Sequence, residues 1–209
     1  MTHLYLIRHA EALNAVQHRF GDLDLTPRGI RQAERLRDRL ATGEITADVL
    51  ISSTLRRAYQ TAEIIAPALG LPVIPDDEVQ EMREGQASGL SEEEFVARFG
   101  LPNFEENPFQ PSAPEGESWP EFMLRVGRAL QRITHEYAGK TIVVVCHGGV
   151  IDGSFIYFFG LSSFSLPSVR FYTENTSITH WYHGTSFLQE RACWHLRSYN
   201  DTYHLRGME

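Results

Sequence analysis

The stretch HLYLIRHAEALN at residues 3–14 joins an apolar run to three groups that can bind an anion or move a proton. The run from Leu4 to Ile7 is typical of a buried strand, and such strands usually end in turn residues that return the chain to the surface. Here the run ends in Arg8, His9 and Glu11. This pattern predicts that the end of the strand contributes to a functional site.

Two later segments repeat this design. They are VLI at 49–51, followed by SSTLRR, and IVVV at 142–145, followed by CHGG. Helical patterns separate the runs, one at 25–40 with Thr26 as N-cap and Pro27 at the first position, the other at 53–70 with Ser53 before it and Gly70 at its end. Alternating patterns at 177–183 and 193–199 predict two further strands near the end of the chain. The alternation of strands and helices predicts a parallel sheet covered by helices.

The carboxyl ends of parallel strands meet at one edge of an open sheet, where they frame the ligand crevice. The first two runs should therefore bring Arg8 and His9 close to Arg56 and Arg57, and the third should add His147. Two guanidiniums offer forked donors that match phosphate oxygens, while the glycines after His147 let the backbone approach the same anion. The sequence thus predicts a cationic pocket for a small phosphate group.

Length and composition define the class of protein. The 209 residues suffice for one hydrophobic core, so a single domain spanning 1–209 is expected. The formal charge of −8 disfavours a polyanion such as DNA as partner, but it permits a small anion in a local positive pocket. No apolar run approaches the roughly 20 residues that span a bilayer, and no basic and apolar leader precedes the first strand. These observations predict a cytoplasmic protein without a membrane or nucleic-acid partner.

The sequence can also be checked for the motifs of other classes of enzyme. Cys146 and Cys193 lack the spacing of a zinc site or a disulfide framework. A cysteine phosphatase would need an arginine where Asp152 stands, and a P-loop would need a lysine where Ser154 stands. No G-x-S-x-G or H-E-x-x-H motif is present. What remains is a histidine acting as covalent nucleophile in a cationic pocket.

The other histidines, and the arginines of the first long helix, are expected to be structural or solvated. A lone histidine at a strand end and an arginine on an amphipathic helix are more often of that kind than catalytic. The residues interpreted in this way are His3, His18, His135, His180, His183, His195, His204, Arg28, Arg31, Arg35, Arg37 and Arg39. Only His9 and His147 follow apolar strands and have candidate arginine partners.

Two segments leave alternatives open. Ser91 and Ser118 each begin a capping box, and the stretch between these helix starts, 98–117, is rich in Pro, Asn and Glu with interspersed aromatic residues. It is interpreted as a lid or rim over the leaving group, with a packed surface loop as an equal alternative. The apolar stretch FIYFFGL at 155–161 predicts either a buried helix or an interface, and an interface would make the chain a homodimer.

Several segments in order resemble the histidine phosphatase superfamily in its phosphoglycerate mutase-like branch. LIRHAEALN resembles the family's strand-end signature, with Arg8, His9, Glu11 and Asn14 at its positions. GDLDLTPRGIRQA and SSTLRRAYQTAEIIA resemble the two segments that follow, VQEMREGQASGLS the proton-donor segment, and PEGES and VVVCHGGVI the later signatures. The tail YNDTYHL is similar to that of broad-specificity and ribazole phosphate phosphatases. The resemblance implies an α/β three-layer sandwich, with a mostly parallel central sheet and helices on both faces.

The resemblance also implies roles for individual residues. His9 would be the nucleophile, and Glu81, with glycines following at the family spacing, would be the proton donor. The phosphate-binding residues would be Arg8, Arg57, His147, Asn14 and Gly148. Neutral His9 would attack phosphorus to give a phosphohistidine, and water would then release phosphate without a cofactor or a metal.

The sequence departs from the family pattern at several positions. Ala10 stands where glycine is usual, and Ala12 replaces a hydroxyl residue, so one expected phosphate donor is missing. An aromatic and acidic pair before Gly89 is replaced by Ala and Ser. Glu84 rivals Glu81 on chemistry alone, and only the glycine spacing favours Glu81.

These observations predict a phosphomonoester hydrolase that acts on a small phosphorylated metabolite. Phosphoryl transfer of the phosphoglycerate mutase type is the alternative, because both reactions share the phosphohistidine, and the compact chain favours the phosphatase. An alternative from another class is a non-catalytic protein that binds a phosphorylated ligand. Such a protein would be expected to lack His9 or the proton donor, and both are present.

Overall fold

The computed structural model describes residues 1–164, 171–185 and 191–208, and the strands within them form one central sheet. The strands are β1 (Thr2–Arg8), β2 (Val49–Ser53), β3 (Val73–Asp76), β4 (Thr141–Cys146), β5 (Ile178–Thr185) and β6 (Ala192–Asp201). Their order across the sheet is β3-β2-β4-β1-β5-β6. The first four run parallel to one another, whereas β5 is antiparallel to β1 and β6 is antiparallel to β5.

Helices cover both faces of this sheet. They are α1 (Leu13–Gln17), α2 (Pro27–Leu40), α3 (Arg56–Leu69), α4 (Glu92–Phe99), α5 (Trp119–Glu136) and α6 (Gly148–Phe159). Because side chains alternate along a strand, Leu4 and Leu6 of β1 pack with α5 and α6, whereas Ile7 packs with α2 and α3. The predicted α/β fold, a mostly parallel sheet between two helical layers, is confirmed.

Side-chain caps set three of the four helix starts that the sequence predicted, those of α2, α4 and α5. The hydroxyl of Thr26 accepts a hydrogen bond from the backbone N–H of Gly29 at 2.9 Å, and the capping boxes at Ser91 and Ser118 are both formed. The start of α3 was predicted wrongly. Ser53 is the last residue of β2, and α3 begins without a side-chain cap.

The predicted surface excursion at 98–117 begins inside a helix, because α4 ends only at Phe99. Residues 101–118 then contain neither helix nor strand. Phe109 is 67% exposed, and its ring lies 6.1 Å from the ring of Phe164. The irregular path fits a surface excursion, and its action as a lid stays a prediction.

The apolar stretch at 155–161 is buried only in part, and its role as an interface stays a prediction. Phe155 and Ile156 of α6 are buried against the sheet, whereas Tyr157, Phe159 and Leu161 are exposed. Within the described ranges, no helix combines the length and the apolar character that crossing a membrane would require.

Arg39 departs from the solvated role predicted for the arginines of α2. Its guanidinium donates to Asp201 at 2.7 Å and to Glu44 at 2.5 Å, and only 15% of its side chain is exposed. Next to this pair, the ring of His204 lies within hydrogen-bond distance of the Thr176 hydroxyl at 3.0 Å. Arg39 therefore anchors the end of the chain to α2.

We expect Gly29→Ala to lower the stability of the protein, although alanine is the better helix former. A Cβ at this position of α2 would lie 2.0 Å from the backbone oxygen of Glu11, which cannot yield as a side chain would. The gain in helix propensity is about 1 kcal/mol, and such overpacking costs about 1–3 kcal/mol or more. The free energy of unfolding, measured with denaturant, should therefore fall.

Gly127→Ala in α5 is the matched control. Its Cβ would meet only the Tyr157 side chain, at 3.4 Å, so its stability should hold or rise. If Gly29→Ala proved as stable as this control, the close approach of α2 to Glu11 would be wrong.

Candidate active site

The ends of β2, β4 and β1 lie side by side, because these strands are neighbours in the sheet. His9 directly follows β1 and His147 directly follows β4, and the centroids of their rings are 5.1 Å apart. His147 Nε2 lies 2.7 Å from Ser53 Oγ at the end of β2. The parallel sheet thus brings together three strand ends that are far apart in the sequence.

A hydrogen bond fixes the tautomer of the neutral His9 ring. His9 is buried, and its Nδ1 lies 2.7 Å from the backbone oxygen of Ala10. Because a carbonyl only accepts, Nδ1 carries the hydrogen of the neutral ring and Nε2 keeps the lone pair. Asn175 Nδ2 donates to the His9 carbonyl at 2.8 Å, and the Ala10 N–H donates to Thr61 Oγ1 at 3.0 Å. These two side chains fix the backbone that carries the ring.

The environment keeps both histidines uncharged. Burial lowers the pKa of His9 well below the usual range of imidazole, and the charges of Arg57 and Arg8 lower this pKa further. Burial likewise lowers the pKa of His147, with His9 and the same two arginines adding to the effect. At neutral pH, His9 therefore has the lone pair that a nucleophile needs.

His147 can offer a hydrogen-bond donor to a ligand. Ser53 Oγ accepts from the Leu55 N–H at 3.3 Å and can donate its own hydrogen to His147 Nε2. In that arrangement the proton of the neutral ring lies on Nδ1, which is buried and has no partner among the described residues.

Two arginines present further buried donors. Nε of Arg8 and Nε of Arg57 have no hydrogen-bond partner in the part of the chain that the structure describes. Each guanidinium is anchored through its Nη1, which donates to the Gly21 carbonyl at 3.3 Å in Arg57 and to the Thr173 carbonyl in Arg8. Buried donors without partners are costly unless a ligand satisfies them. A small anion would satisfy both at once.

Glu81 brings a carboxylate to the start of α6. Its Oε2 accepts from the Gly149 N–H at 3.1 Å, and its Oε1 accepts from the Met82 N–H at 3.0 Å. A Cβ at Gly149 would lie 2.3 Å from Glu81 Oε1, so the glycine makes room for the carboxylate. Glu81 and Arg57 both line a cavity of about 210 Å³. A carboxyl group and a guanidinium can therefore contact one molecule in this cavity.

Glu84 lines the same cavity from another side. Burial raises the pKa of Glu84, while a hydrogen bond from the Gly21 N–H and the charge of Arg57 oppose that rise. A third carboxylate in the wall, Asp22, accepts from the Arg56 N–H at 2.6 Å. Three carboxylates therefore outnumber the guanidiniums of Arg57 and Arg83 in the lining of this cavity, and this excess of negative charge disfavours a second phosphate group there.

The other two residues predicted to bind phosphate have different surroundings. A Cβ at Gly148 would lie 3.9 Å from Arg8 Nε, so the N-terminus of α6 adjoins the cationic cluster. Asn14 lies in α1, and its Oδ1 is buried without a partner among the described residues. Among the described residues, no hydrogen bond joins this Oδ1 to His9, Arg8 or Arg57.

Glu11 and Arg56 lie close to the strand ends in the sequence, but their side chains contact residues outside the cluster of His9 and His147. The carboxylate of Glu11 accepts from Thr26 Oγ1 and from Arg28 Nη1, both at 2.6 Å, so it holds the start of α2. Arg56 pairs with Asp24 at 2.9 Å and is largely exposed. Of the adjacent arginines, Arg57 is therefore the one in the cluster.

Cys146 is fully buried in β4, and burial raises the pKa of its thiol. It is a poor source of thiolate, in keeping with the missing arginine of a cysteine phosphatase. His3 and His180 form their own partly buried pair, with His3 Nδ1 and His180 Nε2 3.0 Å apart. The chemistry of the strand ends therefore rests on His9 and His147.

Sequence reasoning did not select Asn175 or Thr61. Their bonds to His9 and Ala10 span 166 and 51 positions, so no local pattern marks them. Arg125 and Glu117, which hold the backbone around Glu81, were also missed. Glu117 lies within the quoted PEGES segment, and this is the only signal that could have drawn attention to it.

Comparison with known proteins adds independent findings. Residues 4–202 match the model of the histidine phosphatase superfamily, branch 1. Phosphoserine phosphatase 1 of Hydrogenobacter thermophilus is 36% identical over 152 residues, covering 70% of this chain and 71% of that protein. Probable phosphoglycerate mutase GpmB of Yersinia pestis is 33% identical over 214 residues, covering 98% and 95% of the two chains. The structure of YhfR from Bacillus stearothermophilus matches with a TM-score of 0.81 at 27% identity, covering 98% of this chain and 100% of that one.

Proposed function

Because this chain belongs to the histidine phosphatase superfamily, we propose that it is a metal-independent phosphomonoesterase acting on a small phosphorylated metabolite through a phosphohistidine. One observation carries the proposal. A buried, neutral His9, with Nδ1 held by a carbonyl, lies in a cluster with the Nε donors of Arg8 and Arg57, which have no partner among the described residues. A nucleophile with a free lone pair beside fixed cations is what phosphoryl transfer requires.

In the first step, Nε2 of His9 attacks phosphorus in line with the leaving oxygen. A nitrogen–phosphorus bond forms while the phosphorus–oxygen ester bond breaks, and its electron pair stays with the leaving oxygen. Glu81 in its protonated form donates a proton to that oxygen, so the alcohol leaves uncharged. Arg8, Arg57 and His147 stabilise the equatorial oxygens as charge shifts.

In the second step, water attacks the phosphohistidine. The ionised carboxylate of Glu81 takes a proton from this water, a new phosphorus–oxygen bond forms, and His9 leaves with its lone pair restored. Inorganic phosphate is released, and Glu81 is protonated again for the next cycle. Gly148 at the start of α6 and Asn14 are assigned supporting contacts with phosphate.

The chemistry of the cavity favours certain leaving groups. Since Glu81 must contact the leaving oxygen, the rest of the alcohol extends into the cavity that Glu81 lines with Glu84 and Asp22. Carboxylates accept hydrogen bonds from hydroxyl and ammonium groups and repel a second phosphate. We therefore assign substrates whose alcohol carries such donors. Phosphoserine, which the name of the Hydrogenobacter relative contains, is the first to test. Its leaving serine carries an ammonium group for these carboxylates and a carboxylate that can pair with Arg83 in the same wall.

Phosphoglycerate mutase-type transfer is the second candidate. It is favoured by the relative from Yersinia pestis, whose similarity covers 98% of this chain. A mutase must retain a substrate that carries further anionic groups, and the acidic cavity opposes this. A binding protein without catalysis would hold phosphate but never form the covalent intermediate.

The setting of the enzyme is part of the proposal. We assign one domain over 1–209, a cytoplasmic location and no nucleic-acid partner, and the charge of −8 supports the last of these. A homodimer stays a prediction that rests on the exposed apolar side chains of α6.

Hydrolysis of 4-nitrophenyl phosphate in excess EDTA tests the proposal. We expect phosphate release at an unchanged rate after chelation, because His9 and the arginines supply nucleophile and positive charge without a metal. The same protein incubated with 3-phosphoglycerate should give no isomer. Activity that vanished with EDTA and returned with a divalent cation would refute the mechanism, and isomer formation would support the mutase instead.

A further inference from the structure

Arg125 of α5 is a buried cation that lies outside the phosphate cluster and binds the segment carrying Glu81. Its Nη1 donates to the carbonyls of Glu78 and Gln80 at 2.8 and 3.0 Å, and its Nη2 donates to the carbonyl of Glu81 at 3.1 Å. Its Nε and Nη2 donate to the two carboxylate oxygens of Glu117, at 2.7 and 2.6 Å. One guanidinium thus connects three backbone carbonyls between residues 78 and 81 to one acid.

Glu117 holds the same segment from its other end. Its Oε2 accepts from the Arg83 N–H at 2.9 Å, and its own N–H donates to the Arg83 carbonyl at 3.0 Å. Although burial alone would raise the pKa of Glu117, its hydrogen bonds with Arg125 and Arg83 leave this pKa below the ordinary value. The acid is therefore ionised, and the pair is a bidentate salt bridge.

The supported segment has no regular structure of its own. Residues 80–84 lie between two short 3-10 turns, at 77–79 and 85–87, and belong to no strand or helix. Because the segment forms no hydrogen-bond ladder, it depends on the backbone bond between Glu117 and Arg83 and on the bonds that the side chains of Arg125 and Glu117 supply. The Glu81 carbonyl bound by Arg125 and the Glu81 carboxylate bound by Gly149 belong to one residue, so the support acts close to the carboxylate.

We propose that the Arg125–Glu117 pair is the positioning device for the proton donor, and that its role is to hold the Glu81 carboxylate at the leaving oxygen. The inference rests on the proposed function, because it presumes that Glu81 donates that proton. Stability alone is a weak reason for such a pair, since hydrophobic residues of similar volume often stabilise as well as a buried salt bridge does. Proton transfer, in contrast, requires a carboxyl group held within hydrogen-bond reach.

The test compares Arg125→Met with wild type on two esters, 4-nitrophenyl phosphate and a simple alkyl phosphate. A nitrophenolate leaves with little help from an acid, whereas an alkoxide must be protonated as it leaves. Misplacing Glu81 should therefore slow phosphohistidine formation from the alkyl ester by about 100-fold and from the aryl ester only a few-fold. These rates are measured in a single turnover, because the later hydrolysis of the phosphohistidine uses Glu81 with either ester. Binding of orthophosphate should be unchanged, because Arg8 and Arg57 are untouched.

Arg132→Met is the matched control. Arg132 lies on the same helix and pairs with Asp76, just before the same segment, but its side chain is 47% exposed and does not touch Glu81. Its rates on both esters should equal those of wild type. Glu117→Gln provides a second variant of nearly unchanged volume, and it should show the same ester-dependent loss in a milder form if Arg125→Met folds poorly.

The possible outcomes distinguish the positioning role of the Arg125–Glu117 pair from the proposed function of the protein. Equal losses on both esters, or weaker phosphate binding, would show that the pair only maintains structure and would overturn the inference. A wild-type protein that forms no phosphohistidine would instead refute the proposed function. Amide hydrogen exchange at 78–84 is read without any activity, and an unchanged exchange rate in Arg125→Met would overturn the positioning role by itself.

Discussion

Replacing His9 with alanine is expected to lower kcat for every phosphomonoester by on the order of 10⁴-fold or more. The variant should also lose the acid-labile label that radioactive substrate leaves on the wild-type protein. The reason is that Nε2 of His9 supplies the electron pair for the new bond to phosphorus. His147 cannot take over, because its Nε2 is engaged with the Ser53 hydroxyl. Phosphate release in excess EDTA and trapping of the label measure the two effects.

His135→Ala is the control for this substitution, since His135 is exposed at the end of α5 and should leave both readouts unchanged. The His9→Ala protein should still bind orthophosphate, because the donors of Arg8 and Arg57 remain. A covalent label that persisted without His9 would assign the nucleophile to another residue. Loss of phosphate binding together with activity would point to collapse of the pocket.

The strands of the site could be predicted because each combines an apolar run with an abrupt polar end. In β1, β2 and β4 the runs are fully or almost fully buried, so their sequences are nearly continuous in apolar residues. The same physics explains the strand that was not predicted. β3 is a half-exposed edge strand of four residues that contains Pro75, which only an edge tolerates.

Side chains that act over long separations could not be predicted from local patterns. Arg39 has the spacing of a solvated helix residue, and only the folded tail supplies Asp201, 162 positions away. Arg125 likewise has the pattern of a helix arginine, yet it is buried because the loops before α5 wrap around it. Residue type and spacing indicate which face of a helix packs against the core. The partner of a buried charge, in contrast, depends on tertiary packing.

Replacing Glu81 with glutamine is expected to split the two half-reactions. An amide cannot donate the proton to the leaving alcohol, so kcat for an alkyl phosphate should fall by about 10²–10⁴-fold. With 4-nitrophenyl phosphate the leaving group needs little acid, and the phosphohistidine should still form. Its hydrolysis, however, lacks the base that activates water. We therefore expect a burst of about one nitrophenolate per protein followed by slow turnover, measured by rapid mixing, with label accumulating on His9.

Glu84→Gln is the control that decides between the two carboxylates, since it makes the same change three residues further along in the same cavity. By pKa alone Glu84 is attractive, because burial raises its pKa and a general acid must be protonated. A proton donor must first lie within reach of the leaving oxygen, however, and the positions of the two carboxylates favour Glu81. Its carboxylate is bonded to the Gly149 N–H, two residues after His147, whereas that of Glu84 accepts from the Gly21 N–H.

Geometry therefore predicts that Glu84→Gln keeps the rates on both esters within a few-fold of wild type and alters only the choice of alcohol. Removing the negative charge of Glu84 should weaken the preference for leaving groups that carry an ammonium or hydroxyl donor. The reverse result, with the burst in Glu84→Gln and near-normal turnover in Glu81→Gln, would transfer the proton donor to Glu84. In that case the Arg125–Glu117 pair would support a wall of the cavity, because its hydrogen bonds end at Glu81 and Arg83 and do not reach Glu84.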